Sequence, residues 1–227
     1  MHQLKSFKYL DVVASFFVGI LIISNIASSA KIVDLGISIF SIPLVFDGGT
    51  ILFPFVYILG DVLTEVYGFK TTRRIIWTGF AAMALTACVF FLLGLMPAEA
   101  LWETETGGDA AYSAILGGMS YGGIVLASLA AYLAGEFSNA MILSKLKIKT
   151  KGRFLWMRTI GSSLVGQLLD TVIFVFIATL TGVFIWEIFW SLILTNYILK
   201  CSIEALVTPF TYKMCAFLKK KEGIDNI

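Results

Sequence analysis

The sequence predicts an all-α integral membrane protein, a bundle of six transmembrane helices with both ends in the cytoplasm. Three observations carry this expectation: an apolar composition, six apolar stretches of membrane-spanning length, and basic residues gathered on one side of them. Hydrophobic residues make up 58% of the 227 and charged residues 14%, with a mean hydropathy of +0.89, whereas a soluble domain averages about 45–50% and about 25%. Lipid, not water, is therefore the solvent for most of the surface. About 20 mainly apolar helical residues cross a hydrocarbon core, and the candidates are residues 10–30, 50–67, 75–97, 119–144, 159–181 and 188–214. They form one transmembrane domain over residues 1–227.

Taken in order, the first stretch resembles a secretory signal, with Lys5 and Lys8 before it and Ala27-Ser28-Ser29-Ala30 at its end. The other stretches already form a bundle, and the polar Asn25 suits a helix that stays in it. Residues 32–49 are too broken to span and too apolar for a solvated loop, so they read as a hairpin or re-entrant segment at the outer mouth, or as an interfacial piece. In the second stretch Pro54 either opens the helix or breaks it. Residues 98–118, acidic and containing glycines, read as an outer loop, with Trp102 and Tyr112 suited to the headgroup belt.

Orientation follows from Lys and Arg, which are retained on the cytoplasmic side of the short loops. An inside amino terminus places all but two of the 17 basic residues in the cytoplasm. The exceptions are Lys31, at an outer helix end, and Lys200, inside a helix. Asp34, Asp47, Glu99, Glu103, Glu105, Asp109 and Glu187 fall in the outer loops.

Ionisable residues inside a membrane are costly, so they face a bundle interior, a partner or a water-filled cavity. In the sixth helix Asn196, Lys200, Glu204 and Thr208 recur every fourth residue and share one face, and Lys200 can pair with Glu204 along it. In the fifth, Ser163, Gln167, Asp170 and Phe174 form another stripe. In the second, Tyr57, Asp61 and Glu65 share a face, with Glu65 near enough to the interface to meet Arg73 or Arg74. The bland reading of Asp170, Lys200 and Glu204 is an ion pair locking the fifth helix to the sixth. Buried pairs stabilise little, which favours a functional role.

A faint internal symmetry is also present. Ser24-Asn25 with Lys31 beyond repeats as Ser138-Asn139 with Lys145 beyond, on helices of opposite direction, and Asp61 matches Asp170. An inverted three-plus-three repeat would set a site at the membrane midplane.

The run FPFVYILGDVLTEVYGFKTTRRIIW from Phe53 to Trp77 resembles the characteristic block of the queuosine precursor transporter family, also called the vitamin uptake transporters. RTIGSSLVGQLLDTVIF from Arg158, and the sixth helix with Lys200, Glu204 and Pro209, resemble its other blocks. The resemblance implies a transporter of the cytoplasmic (inner) membrane that takes up 7-deazaguanines for tRNA modification: the 7-cyano or 7-aminomethyl precursor, or queuine. Such a base presents a carbonyl acceptor beside N–H donors and a flat face. On that footing Asp170 or Glu204 would take the donor edge, and Gln167, Asn25 or Asn139 would address the carbonyl. Tyr57, Trp77 and Phe174 would stack, and Asp61 would meet an aminomethyl cation. Glu65, Arg158, Asn196 and Lys200 complete the expected site.

Several classes are excluded. The chain has no P-loop and no H-E-x-x-H, and His2 is its only histidine, so neither ATP hydrolysis nor an intramembrane enzyme is expected. Cys88, Cys201 and Cys215 lack metal-ligand spacing; no metal, cofactor or catalytic residue is expected. The basic residues form no patch for nucleic acid. The expected partners are the small molecule and the lipid bilayer. A rival reading is the substrate-binding component of an energy-coupling-factor vitamin transporter, which depends on separate ATPase subunits. A homodimer through small residues such as Ala127, Ser128, Ala131 and Gly135 is open, with packing inside one chain as the default.

Overall fold

A computed structural model describes residues 7–39, 42–120 and 123–224. The chain is a helical bundle built from α1 (Leu10–Ala30), α2 (Phe53–Val62), α3 (Phe69–Gly94), α4 (Ala100–Thr106), α5 (Gly108–Ser120), α6 (Gly123–Lys149), α7 (Leu155–Leu180) and α8 (Phe189–Glu222). Among the described residues five helices, Leu10–Ala30, Phe69–Gly94, Ile124–Lys149, Leu155–Leu180 and Trp186–Glu222, are long and apolar enough to cross a membrane. This is an all-α membrane protein. Phe16, Leu85, Trp190 and Leu206 are among the large apolar side chains on its outer surface, where a soluble protein would carry charge.

The second expected span takes an unusual form. A 3₁₀ turn over Gly48–Ile51 leads into α2, which runs on as a π-turn over Leu63–Tyr67. The continuous helix is thus shorter than the roughly 20 residues a perpendicular crossing needs. It compensates by burial: Pro54 and every residue from Val56 to Val62 are inside. Pro54 stands in the first turn of α2, where its missing N–H costs nothing, so it opens the helix and does not break it. Gly68, at φ +82°, turns the chain directly into α3.

Residues 32–49 form a two-stranded antiparallel hairpin, β1 (Ile32–Ile39) and β2 (Ile42–Asp47), with Ile32 opposite Asp47 and an irregularity between Asp34 and Ser38. Ile32, Leu35 and Ile37 remain exposed, whereas Phe46 and Asp47 are buried. The acidic segment expected as a loop is instead helical. Glu99 caps α4, its carboxylate accepting from Trp102 N, and α5 packs on α1 and α3. Ser29 donates to Ile115 O and Tyr112 to Phe90 O.

The apolar core gathers Val13, Phe17 and Leu21 of α1, Val56 and Val62 of α2, Ile76 and Met83 of α3, and Tyr132 of α6. A smaller cluster at the hairpin end joins Ala127, Val175, Phe184 and Leu192. The close contact between α6 and α7 depends on glycine. A Cβ on Gly135 would lie 2.8 Å from Asp170 Cβ, and one on Gly166 2.9 Å from Asn139 Cβ. Small residues of this kind let membrane helices approach closely.

Candidate functional site

The polar residues form a column along the bundle, and α8 carries one side of it. At the hairpin end Asp47 is 2% exposed. It accepts from Ser28 Oγ of α1, from Gly49 N at 3.1 Å, and from Asn196 Nδ2 at 3.0 Å. Thr50 Oγ1 lies 2.8 Å from Asp47 Oδ2 and 3.1 Å from Asn196 Oδ1. Asp47, counted by position among the outer-loop acids, is thus buried: β2 delivers it inward to tie α1, the 3₁₀ turn and α8 together.

One turn along α8, Lys200 Nζ reaches Asp170 Oδ2 at 2.8 Å and Thr171 Oγ1 at 3.5 Å, and sits 4.5 Å from the Phe53 ring centre. The Lys200–Glu204 pair that the spacing allows is not formed; the pair that forms is the one locking the fifth expected helix to the sixth. Both residues face inward, but the α7 carboxylate is nearer to the ammonium than the neighbour four positions on. Glu204 instead accepts from Gln167 Nε2, and Gln167 Oε1 takes the Cys201 thiol at 3.1 Å. Below them Asn139 Nδ2 donates to Asp61 Oδ1 at 2.9 Å, and Ser163 Oγ lies 3.4 Å from Asn139 Oδ1.

Glu65 belongs to a separate cluster at the basic end. Its carboxylate accepts from Arg158 Nη1 at 2.8 Å and Lys219 Nζ at 2.6 Å, with Lys147 Nζ at 3.5 Å. The expected partners Arg73 and Arg74 are exposed on α3. Arg158, 1% exposed, also donates to Gly152 O. The π-turn sets Glu65 in reach of α6, α7 and α8 at once, and such turns recur at functional positions. Further along, Glu222 accepts from the Lys8 and Tyr9 amides and the Tyr67 hydroxyl, closing α8 onto the start of α1.

Of the expected site residues, Tyr57, Asp61, Asn139, Gln167, Asp170, Phe174, Lys200 and Glu204 thus occupy adjoining levels, with Asn196 one turn away. Asn25 is buried but bonds to Leu21 O and Met83 Sδ, not to this layer. Trp77 is corrected outright as a stacking group: it is 51% exposed and packs edge-on against Phe80 and Phe137.

Sequence reasoning missed Glu136 of α6, which is 1% exposed. Its signal was present, since it is the one charged residue in the apolar stretch 119–144. Among the described residues neither Glu136 oxygen has a hydrogen-bond partner, and the Tyr57 hydroxyl and Glu204 Oε1 are likewise unpartnered. Buried polar atoms normally have a hydrogen-bond partner, so each of these can accept one from a water, an ion or a ligand group. Little space stands open for one now. Between Asp47, Asp170, Lys200, Phe53 and Phe174 there is room for about one water.

An apolar outside enclosing a column of polar side chains, closed at both ends by hydrogen-bonded clusters, defines a multi-pass membrane protein with a buried polar layer. The chain belongs to the family described as "Putative vitamin uptake transporter", which matches residues 47–214. It is thus a transporter of the cytoplasmic membrane and not an enzyme. Two curated relatives are similar over most of its length. The "Probable queuosine precursor transporter" of Bacillus subtilis (strain 168) is 27% identical over 167 residues, 72% of this chain and 69% of the relative. The "Queuosine precursor transporter" of Escherichia coli (strain K12) is 26% identical over 165 residues, 73% and 68% respectively. No solved structure matches.

Proposed function

We propose that the chain carries 7-deazaguanine precursors of queuosine across the cytoplasmic membrane. The names of the two relatives support this reading, and the side-chain chemistry of the layer agrees with it. The observation that carries it is the Gln167–Glu204 pair, an amide donating to a carboxylate with Glu204 Oε1 left over. A guanine-type edge offers donors to a carboxylate and an acceptor to an amide, so the base can replace the contact these two side chains make with each other. Tyr57 and Phe174 supply aromatic faces for the ring, and Asn139 a further amide.

On this reading the structure is a closed state. Entry requires α8 to move from α7, and Pro209 marks where it can bend, because proline leaves the Ala205 carbonyl without its helical donor. The buried α2 counts as the sixth crossing, with both chain ends in the cytoplasm. The Asn25/Asn139 and Asp61/Asp170 correspondences describe an inverted three-plus-three arrangement about the layer.

The test is uptake by the chain alone. In cells lacking deazaguanine synthesis, their own importer and any energy-coupling ATPase module, its expression should restore queuosine to tRNA when a precursor is supplied. Absence of queuosine despite correct membrane insertion would refute the proposal.

A further inference from the structure

Four carboxyl groups, those of Asp61, Glu136, Asp170 and Glu204, lie within electrostatic reach of the Tyr57 hydroxyl, and they are not equivalent. Asp170 is compensated by the Lys200 ammonium. Asp61 accepts from Asn139 and Glu204 from Gln167. Glu136 receives nothing. The polar groups nearest along α6 are committed elsewhere: Tyr132 donates to Ile76 O at 2.9 Å, and Asn139 to Asp61. Nor does α2 crowd it. Glycine at position 60 leaves the carboxylate space, since a Cβ there would lie 2.8 Å from Glu136 Oε2. Room has been kept for this carboxyl group without a donor being provided for it.

A buried carboxyl group without a partner can receive a cation that brings its own N–H groups, the two charges compensating each other once they meet. We propose that Glu136 is the specificity-determining residue for the substituent at position 7 of the base, and that it receives a primary ammonium. The inference rests on the transport reading above and deepens it. The aminomethyl precursor brings such a cation, whereas the cyano precursor presents only a nitrile, with neither a positive charge nor an N–H for this group. Asp61, to which the family resemblance gave this role, already holds the Asn139 amide. Glu136 is free to take the ammonium, with the unpartnered Tyr57 oxygen as a second acceptor.

The experiment is thermal stabilisation of the purified full chain in detergent by 7-aminomethyl-7-deazaguanine and by 7-cyano-7-deazaguanine, titrated separately. The parent should bind the aminomethyl compound more tightly. Glu136→Gln should weaken that binding about tenfold or more, because it removes the charge facing a desolvated cation, and should change binding of the cyano compound less than about threefold. Glu136→Asp, which keeps the charge but withdraws it, should fall between the two and serves if the glutamine variant does not fold. A parent that prefers the cyano compound, or variants that weaken both ligands equally, would overturn the assignment while leaving the transport reading intact. A parent stabilised by neither compound would remove both.

Discussion

Asp170 Oδ2 accepts from Lys200 Nζ at 2.8 Å across the contact between α7 and α8, and both side chains are all but closed to solvent. Each charge is tolerable there only because of the other. Lys200→Met leaves the carboxylate stranded and should lower the stability of the detergent-solubilised protein by about 3–5 kcal/mol. The double variant Lys200→Met/Asp170→Asn should recover part of that loss. Melting curves of the single and double variants measure the difference, and a double variant no more stable than Lys200→Met would contradict the pairing.

The cluster around Glu65 should behave unevenly. Arg158 is fully buried, whereas the Lys147 side chain is 32% exposed. Arg158→Ala should cost about 3 kcal/mol or more, and Lys147→Ala about 0.5 kcal/mol or less, because solvent screens an open pair. The same melting assay reads both.

Glycine substitutions separate close packing from open surface. Gly135→Ala pushes a methyl group against Asp170 Cβ and the Gly166 carbonyl, and should destabilise by about 1–3 kcal/mol. Gly19→Ala, where a Cβ meets nothing within 4 Å, should be neutral or stabilise by up to about 1 kcal/mol through helix propensity. Equal effects at the two positions would argue against the α6–α7 contact described.

Trp77→Ala should leave precursor uptake within about twofold of the parent, since surface positions away from a site rarely matter beyond a few tenths of a kcal/mol. A large loss, at equal expression, would restore Trp77 to the site.

Much of this was legible in the sequence because helical periodicity reports which face turns inward. Asn196, Lys200, Glu204 and Thr208 share the buried face of α8 as their four-residue spacing requires, and α1 spans the residues its hydropathy marks out. Periodicity says nothing about what lies opposite. Lys200 therefore found Asp170, and Glu65 found Arg158, through packing between distant helices. The burial of Asp47 was not legible, because an acidic residue in a connecting segment looks the same whether or not a strand such as β2 turns it inward. Residues 98–118 were misread because their acidic residues and glycines look like a loop, whereas they fold as two short helices, of which α5 rests on α1 and α3 and α4 stays exposed.

The most direct test of the central claim, that the polar layer between α7 and α8 is where the solute binds, is uptake of labelled 7-deazaguanine precursor by Asp170→Asn and Glu204→Gln at expression equal to the parent's. Loss of at least about tenfold in each is the predicted result, the size expected when a buried charged hydrogen-bond partner is removed. Accumulation by both variants at the parent's level would contradict it.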